Sequence, residues 1–422
     1  MTPNLLVRSV TAAMLACALG LAAPTSAADD FDGASSPDAT IALSNFQAAT
    51  TVVGQPDFSQ NLPNQGGSTA ADTISGAFGS AAVSSSGTLY LSDYENRRVL
   101  GFSSVPSANG ASATFVLGQA DFTSSVQGDA ANQLGGPQAT IAANNMLVVD
   151  EFFNHRVLIW KKLPTANQVP ADIVVGQAGF GTRNSGCTSN SLDAPETSSV
   201  GGGKLVVADS SNNRVMIWTK LPKKNGRPAK IVLGQKNFTT CVENNDGTGV
   251  GGAPSQSNLG YPSGVWTDGT RIVVLDSDNN RVMIWTKFPK KSFTPANIVL
   301  GQPDFVSNKE NNDGTGNSGS PSAKNLKYPY DGVFSNGTQL FLVDQMNNRI
   351  LVWNTFPTQN FAAADVVLGQ PNFTCGVQLN DGTGCVSGAA SAKNLKMPTG
   401  VYQSPGNKLI VTDGGDSRYL IF

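Results

Sequence analysis

An all-β fold built from six repeated four-stranded sheets is what this 422-residue sequence predicts, and three observations carry it. First, a Gly-Gln pair recurs at Gly54-Gln55, Gly118-Gln119, Gly176-Gln177, Gly234-Gln235, Gly301-Gln302 and Gly369-Gln370, each followed three residues after the Gln by a Phe. Second, a hairpin-like stretch recurs six times. Its acid stands at Asp93, Glu151, Asp209, Asp276, Asp344 and Asp413, and its arginine at Arg98, Arg156, Arg214, Arg281, Arg349 and Arg418. Third, the runs flanking each turn are too short for helices and rich in Val, Ile and Leu. They are apolar nearly throughout, the pattern of strands buried on both faces. A lone hairpin is marginal in water. Sheets that repeat at a fixed period and bury both faces stack around an axis, so a six-bladed β-propeller is expected, with four antiparallel strands per blade.

Taken in order, the chain begins as a secretory signal peptide, residues 1–27. Arg8 supplies the positive start, Val10 to Ala23 the apolar core, and the small residues around Ala27 the cleavage site. That core is shorter than a bilayer-spanning helix, and no later stretch is apolar enough to span. Residues 28–43 read as a lead-in, and 44–422 as the propeller. The unit is clearest at Arg271 to Gln302: a run ending in Asp276, a polar turn with Asn279, and a second run from Arg281 to Trp285. A spacer rich in Lys and Pro follows, then an outer run closing on Gly301-Gln302. An inner run precedes each unit, at Gly76 to Val83, Pro137 to Ala142, Pro195 to Val200, Pro262 to Trp266, Pro329 to Phe334 and Pro398 to Tyr402. The last unit stops at Phe422 without an outer run, whereas Asn45 to Gln55 parallels Asn360 to Gln370. The N-terminal strand is therefore expected to complete the last blade.

Charge is sparse and balanced, with Lys+Arg 28 against Asp+Glu 30. No basic face is implied, so neither nucleic acid nor membrane insertion is expected, and a monomer is. Beyond the signal peptide lie Cys187, Cys241, Cys375 and Cys385, an even number for an oxidising compartment, secreted or periplasmic. Cys375 and Cys385 bracket one loop, which favours that pair and leaves Cys187 with Cys241; four cysteines allow three connectivities.

The acid-x-x-Asn-x-Arg-Val hairpin, seen in ADSSNNRVMIW and LDSDNNRVMIW, resembles the NHL repeat, whose members form six-bladed propellers. The resemblance covers nearly the whole mature chain. It departs at the NHL histidine, kept only as His155, and in the longer loops after each Gly-Gln. WD-repeat signatures are absent. The resemblance implies a binding scaffold, whereas the lyases with a similar fold depend on several histidines.

Antiparallel order places the hairpin turns and the loops linking each outer strand to the next inner strand on one face, the expected binding surface. The six acid–Asn–Arg sets read as framework: acid and Asn bond backbone N–H groups at the turn while Arg ties blades together. Asp246, Asp313 and Asp381 lie in repeated Asn-Asp-Gly-Thr-Gly loops. These fit tight turns better than calcium sites, since they lack the spaced carboxylates of a calcium loop. His155 occupies a repeat position and reads as a turn residue. Residues that break the repeat are the better functional candidates: Trp266, Tyr261, Tyr328, Tyr330 and Tyr402, near the inner runs of blades four to six. They form either an aromatic platform at the channel mouth or core filling. The expected function is protein or glycan binding through the loop face without catalysis and without a cofactor. The alternative is a calcium-dependent hydrolase or lyase at the central channel.

Overall fold

The computed structural model describes residues 39–143 and 145–422. The expected signal peptide and the lead-in up to residue 38 lie outside the described residues.

The strand β1 (Thr51–Val53) comes first. Blade one follows as β2 (Ala82–Val83), β3 (Leu89–Asp93), β4 (Arg98–Phe102) and β5 (Phe115–Leu117). Blade two is β6 (Pro137–Ala143), β7 (Met146–Glu151), β8 (Arg156–Trp160) and β9 (Ile173–Val175). Blade three is β10 (Pro195–Gly201), β11 (Lys204–Asp209), β12 (Arg214–Trp218) and β13 (Ile231–Leu233). Blade four is β14 (Pro262–Thr267), β15 (Ile272–Asp276), β16 (Arg281–Trp285) and β17 (Ile298–Leu300). Blade five is β18 (Pro329–Ser335), β19 (Leu340–Asp344), β20 (Arg349–Trp353) and β21 (Val366–Leu368). Blade six is β22 (Gly400–Gln403), β23 (Leu409–Asp413) and β24 (Arg418–Ile421), with β1 as its fourth strand. There Thr51 stands opposite Ile421 and Val53 opposite Tyr419. Every strand pairing within the sheets is antiparallel, and the six sheets form a ring, a six-bladed β-propeller.

The middle strands explain the stacking. In β15 and β16 all ten residues are buried, as the unbroken apolar runs require. Each Val, Ile or Leu so buried contributes on the order of 1.5–3 kcal/mol, which makes apolar burial between blades the main cohesive force. Blades six and one meet through Tyr419, whose hydroxyl donates to the Ser92 carbonyl at 2.8 Å, and Thr412, whose hydroxyl donates to the Gly79 carbonyl at 2.7 Å. At the axis the inner strands nearly touch. A Cβ on Gly264 would lie 2.6 Å from the Asp331 carbonyl oxygen and one on Gly400 2.2 Å from that of Gly79, so only glycine fits.

A propeller leaves one exposed edge on the outer strand of each blade, a template for unwanted pairing. Here the loop between the third and fourth strands of the next blade covers it. The Val174 N–H donates to Asn225 Oδ1 at 3.0 Å, and the Gly226 N–H returns to the Val174 carbonyl at 3.1 Å. The same clasp is made at Val116 by Asn167 and Gln168, at Val299 by Asn360 and Phe361, and at Val52 by Asn109 and Gly110. Asn45 and Phe46 make it at Val367, so the N-terminal segment supplies the clasp as well as the strand of its unit. Asn225→Ala is expected to cost about 1–2 kcal/mol, the penalty for an unpartnered edge N–H. Faster amide exchange at Val174 is the check; unchanged protection there would refute the clasp.

Both expected cysteine pairs are within bonding geometry: Cys187–Cys241, Cα–Cα 6.3 Å, and Cys375–Cys385, Cα–Cα 5.1 Å. Among the described residues no helix is long and apolar enough to cross a membrane.

Candidate functional site at the channel mouth

The repeat residues build the frame from which the site departs. Each repeat acid is buried and accepts its arginine and one backbone N–H; in blades one to five the repeat Asn adds a third donor, which Asp416 cannot supply to Asp413 in blade six. Asp276 accepts Arg281 Nε at 2.6 Å, Asn279 Nδ2 at 2.9 Å and the Gly260 N–H at 2.6 Å. The remaining Arg281 nitrogens donate to the carbonyls of Phe305, Ser255 and Asn258. One guanidinium thus joins the loop entering a blade to the loop leaving it. Arg98, Arg214 and Arg349 repeat the pattern on Asp93, Asp209 and Asp344, with Phe122, Phe238 and Phe373 as carbonyl partners. Arg418 pairs with Asp413 and reaches back to the Phe58 carbonyl, whereas Arg156, paired with Glu151, takes Asp129 instead of the Phe. In one respect the expectation needs correcting. The acid holds the start of the inner strand, not the hairpin turn, and the turns of blades three to six have no side-chain cap. A buried acid gains more from the inward-facing N–H than from one that water already satisfies.

The turn instead ends in a left-handed residue: Asn213, Asn280 or Asn348, and His155 in blade two. Asn213 Oδ1 accepts the Tyr261 N–H at 2.9 Å and Asn280 Oδ1 that of Tyr328 at 2.8 Å. His155 Nδ1 accepts the Ala194 N–H at 3.0 Å, the same task, so this histidine stands in for the framework Asn. These bonds hold Tyr261 and Tyr328 at φ of 49° just before the inner strand, aimed at the mouth.

Inside the mouth the inner strands bring together residues that break the repeat. Gln138, Glu196, Ser263 and Asp331 each stand thirteen residues before the repeat acid of their blade. Glu196 Oε1 accepts both the Tyr261 hydroxyl at 2.7 Å and the Tyr330 hydroxyl at 2.8 Å, while Gln138 Nε2 donates to its other oxygen. Asp331, at φ 56°, has no protein donor on either carboxyl oxygen. It faces Glu196, and a hydrogen bond between the two forms only when one carboxyl carries a proton. Burial pushes Glu196 up to about 7 and Asp331 well above the usual carboxylate range. Burial also raises Asp150, whose Oδ2 accepts the Ser198 hydroxyl at 3.0 Å. Above the acids lies an aromatic rim. Tyr328 and Tyr330 stack at 5.7 Å and 15°, and across the mouth Tyr94 packs on Phe78 at 4.9 Å and Phe153 at 5.5 Å. The Arg97 guanidinium lies 5.0 Å over the Phe153 ring. Burial, and then the Glu196 charge, raises Tyr261 and Tyr94, so their hydroxyls stay protonated donors.

Of the five aromatic candidates, Tyr261, Tyr328 and Tyr330 gather here. Trp266 and Tyr402 lie toward the opposite ends of their inner strands. Trp266 packs in the core beside Phe356 with Arg271 over its ring, and Tyr402 meets Phe334. Asp246, Asp313 and Asp381 are exposed, and each accepts the N–H and hydroxyl of its own Thr248, Thr315 or Thr383, bonds that hold the carboxyls below the usual range. The neighbouring Asn245, Asn312 and Asn380 donate to Gln235, Gln302 and Gln370, which explains the Gly-Gln motif: its buried Gln anchors the loop that follows. Among the described residues no group of three or more His, Cys, Asp or Glu is arranged to hold a metal ion. Glu196, Asp331, Asp150 and Gln138 were not candidates from the sequence. A signal was present, since Glu196 and Asp331 are the only acids in the six inner runs. Tyr94, Phe152 and Phe153 were legible too, as aromatics where other turns carry Ser, Asp, Glu, Gln, Met or Gly.

No family model matches the chain, and neither does any curated protein. Similar solved structures include the WD40 propeller domain of Doa1, 10% identical with a TM-score of 0.44 over 91% of this chain and 95% of that one. A streptogramin B lyase is 11% identical with a TM-score of 0.40, covering 86% and 95%. A nidogen/laminin complex gives 14% identity and 0.39, covering 69% and 84%.

Proposed function

We propose that this chain is an exported NHL-type propeller that acts as a binding scaffold, taking a protein or glycan ligand on its turn face around the channel mouth. One observation carries the reading. The framework residues keep to the six-fold repeat, whereas Tyr94, Phe153, Tyr261, Tyr328 and Tyr330 break it and gather at one place. Symmetric residues serve what all blades share; clustered exceptions on a rigid support serve a ligand. Phe153 is 39% exposed, an apolar surface left uncovered at the rim. The two cysteine pairs fit an extracellular setting.

The test uses the mature protein as bait against the exported protein fraction and a printed glycan array. Tyr328→Ala combined with Phe153→Ala is expected to weaken capture by about tenfold or more, as for central aromatic anchors, with thermal stability nearly unchanged. Equal capture by this variant and the parent would refute the mouth as the binding surface. The alternative, a calcium-dependent hydrolase or lyase, draws support only from the buried Glu196–Asp331 pair. With no three-ligand set arranged for an ion among the described residues, the geometry favours a shared proton there.

A further inference from the structure

The balanced composition conceals a segregated surface, which corrects the expectation that no basic face exists. The loops between third and fourth strands at residues 161–172, 219–230 and 286–297 carry Lys161, Lys162, Lys220, Lys223, Lys224, Arg227, Lys230, Lys287, Lys290 and Lys291, all exposed. Their only acid is Asp172. The equivalent loops of blades one and five, 103–114 and 354–365, carry no cation at all. Six of the chain's 28 basic residues are the buried framework arginines, so these three loops hold ten of the remaining 22.

The clasps make the three loops neighbours. Loop 219–230 lies over the outer strand of blade two, through Asn225 and Gly226 on Val174. Loop 286–297 lies over the outer strand of blade three, where Ser292 Oγ accepts the Val232 N–H and the Phe293 N–H donates to the Val232 carbonyl at 2.9 Å. Lys230 stands two residues from Val232, so the loops of blades three and four meet at that clasp. Between them Lys204 Nζ sits 4.8 Å over the Phe288 ring. Within loop 219–230 a cleft is lined by Trp218, Lys220, Leu221, Lys224, Arg227 and Lys230.

We infer that this basic belt, across three blades and separate from the turn-face mouth, binds an extended acidic polysaccharide. A run of like charge over adjacent blades suits a polyanion of repeating carboxylate or sulfate rather than a single small anion. Among the described residues, the large apolar side chains left exposed lie outside these loops, and Leu163, Leu221, Phe288 and Phe293 within them are half-buried, a poor anchor for a bilayer. The aromatics in the loops, Phe288 and Phe293, are half-buried, and Lys204 covers the Phe288 ring, so neither offers an open platform for nucleobases. Nine of the ten cations are lysines, point charges that track a flexible polymer rather than forked readers of phosphate.

The probe is alginate, a soluble polyuronate, with neutral dextran beside it, titrated against the mature protein at low and physiological salt. Alginate is expected to bind and to weaken steeply with salt, and dextran not to bind. The triple variant Lys224→Glu, Arg227→Glu, Lys230→Glu is expected to lose about tenfold or more in affinity. A control with the same charge change elsewhere, Lys236→Glu, Lys309→Glu, Lys408→Glu, is expected to bind like the parent. Equal losses in both triples would reduce the effect to net charge and overturn the belt. Tighter binding to anionic lipid vesicles or to duplex DNA than to alginate, at matched charge, would overturn the polysaccharide. Tyr328→Ala with Phe153→Ala leaves alginate binding intact, which separates this inference from the mouth.

Discussion

Arg281→Met is expected to lower the unfolding free energy by about 3–5 kcal/mol, the cost of leaving one member of a buried ion pair alone. Arg281 and Asp276 both have fully buried side chains, 2.6 Å apart. Methionine fills much of the volume but restores no donor. Asp276 keeps Asn279 and the Gly260 N–H yet loses its counter-charge, and the carbonyls of Phe305, Ser255 and Asn258 lose theirs. Denaturant unfolding with an unchanged slope reads the loss. Adding Asp276→Asn should recover part of it, because the stranded charge goes while an oxygen remains for the Gly260 N–H. A loss below about 1 kcal/mol, the range of surface pairs, would show that this arginine is not the tie between successive loops.

Stability is expected to fall as pH rises from about 5 to 8, and Glu196→Gln to flatten that fall. The sign follows from the raised acids. An unfolded Glu releases its proton near its ordinary value of about 4.5, whereas burial holds the proton on folded Glu196 up to about 7, beside an Asp331 raised by the same cause. Between those values the folded state binds more protons, so the stabilisation present below pH 4.5 is lost as pH climbs through 7. The full span is on the order of 3 kcal/mol for a fully buried carboxyl. Asp209, raised by burial to about 6, and Asp413, raised to about 7, tilt the curve the same way. In Glu196→Gln the amide donates to Asp331 at every pH and keeps an oxygen for Tyr261 or Tyr330. Melting curves from pH 5 to 8 decide it: parallel curves for parent and variant would sink the shared proton. A rise in melting temperature with added calcium that Glu196→Gln abolishes would put an ion there instead.

Much of this molecule is written locally. Acid, Asn and Arg at fixed spacing on short apolar runs specify a hairpin buried on both faces, and six copies specify the number of blades. Tyr261, Tyr328 and Tyr330 were legible as exceptions to the repeat, because a departure from a six-fold pattern is visible in one dimension. The likeness of Asn45-Phe46 to Asn360-Phe361 was visible as well, though the clasp it serves was not.

What the chain order could not supply was convergence about the axis and around the belt. Glu196 and Asp331 lie 135 residues apart and become one titrating pair only because inner strands of different blades meet at the centre of the ring. Trp266 and Tyr261 are near neighbours in sequence yet lie toward opposite ends of β14, since an extended strand rises about 3.3 Å per residue. Ten cations average out in composition but gather in space where successive loops clasp successive edges. A repeat encodes its own unit through short-range hydrogen bonding and burial; which exceptions touch is decided by ring closure, a long-range constraint that no single unit contains.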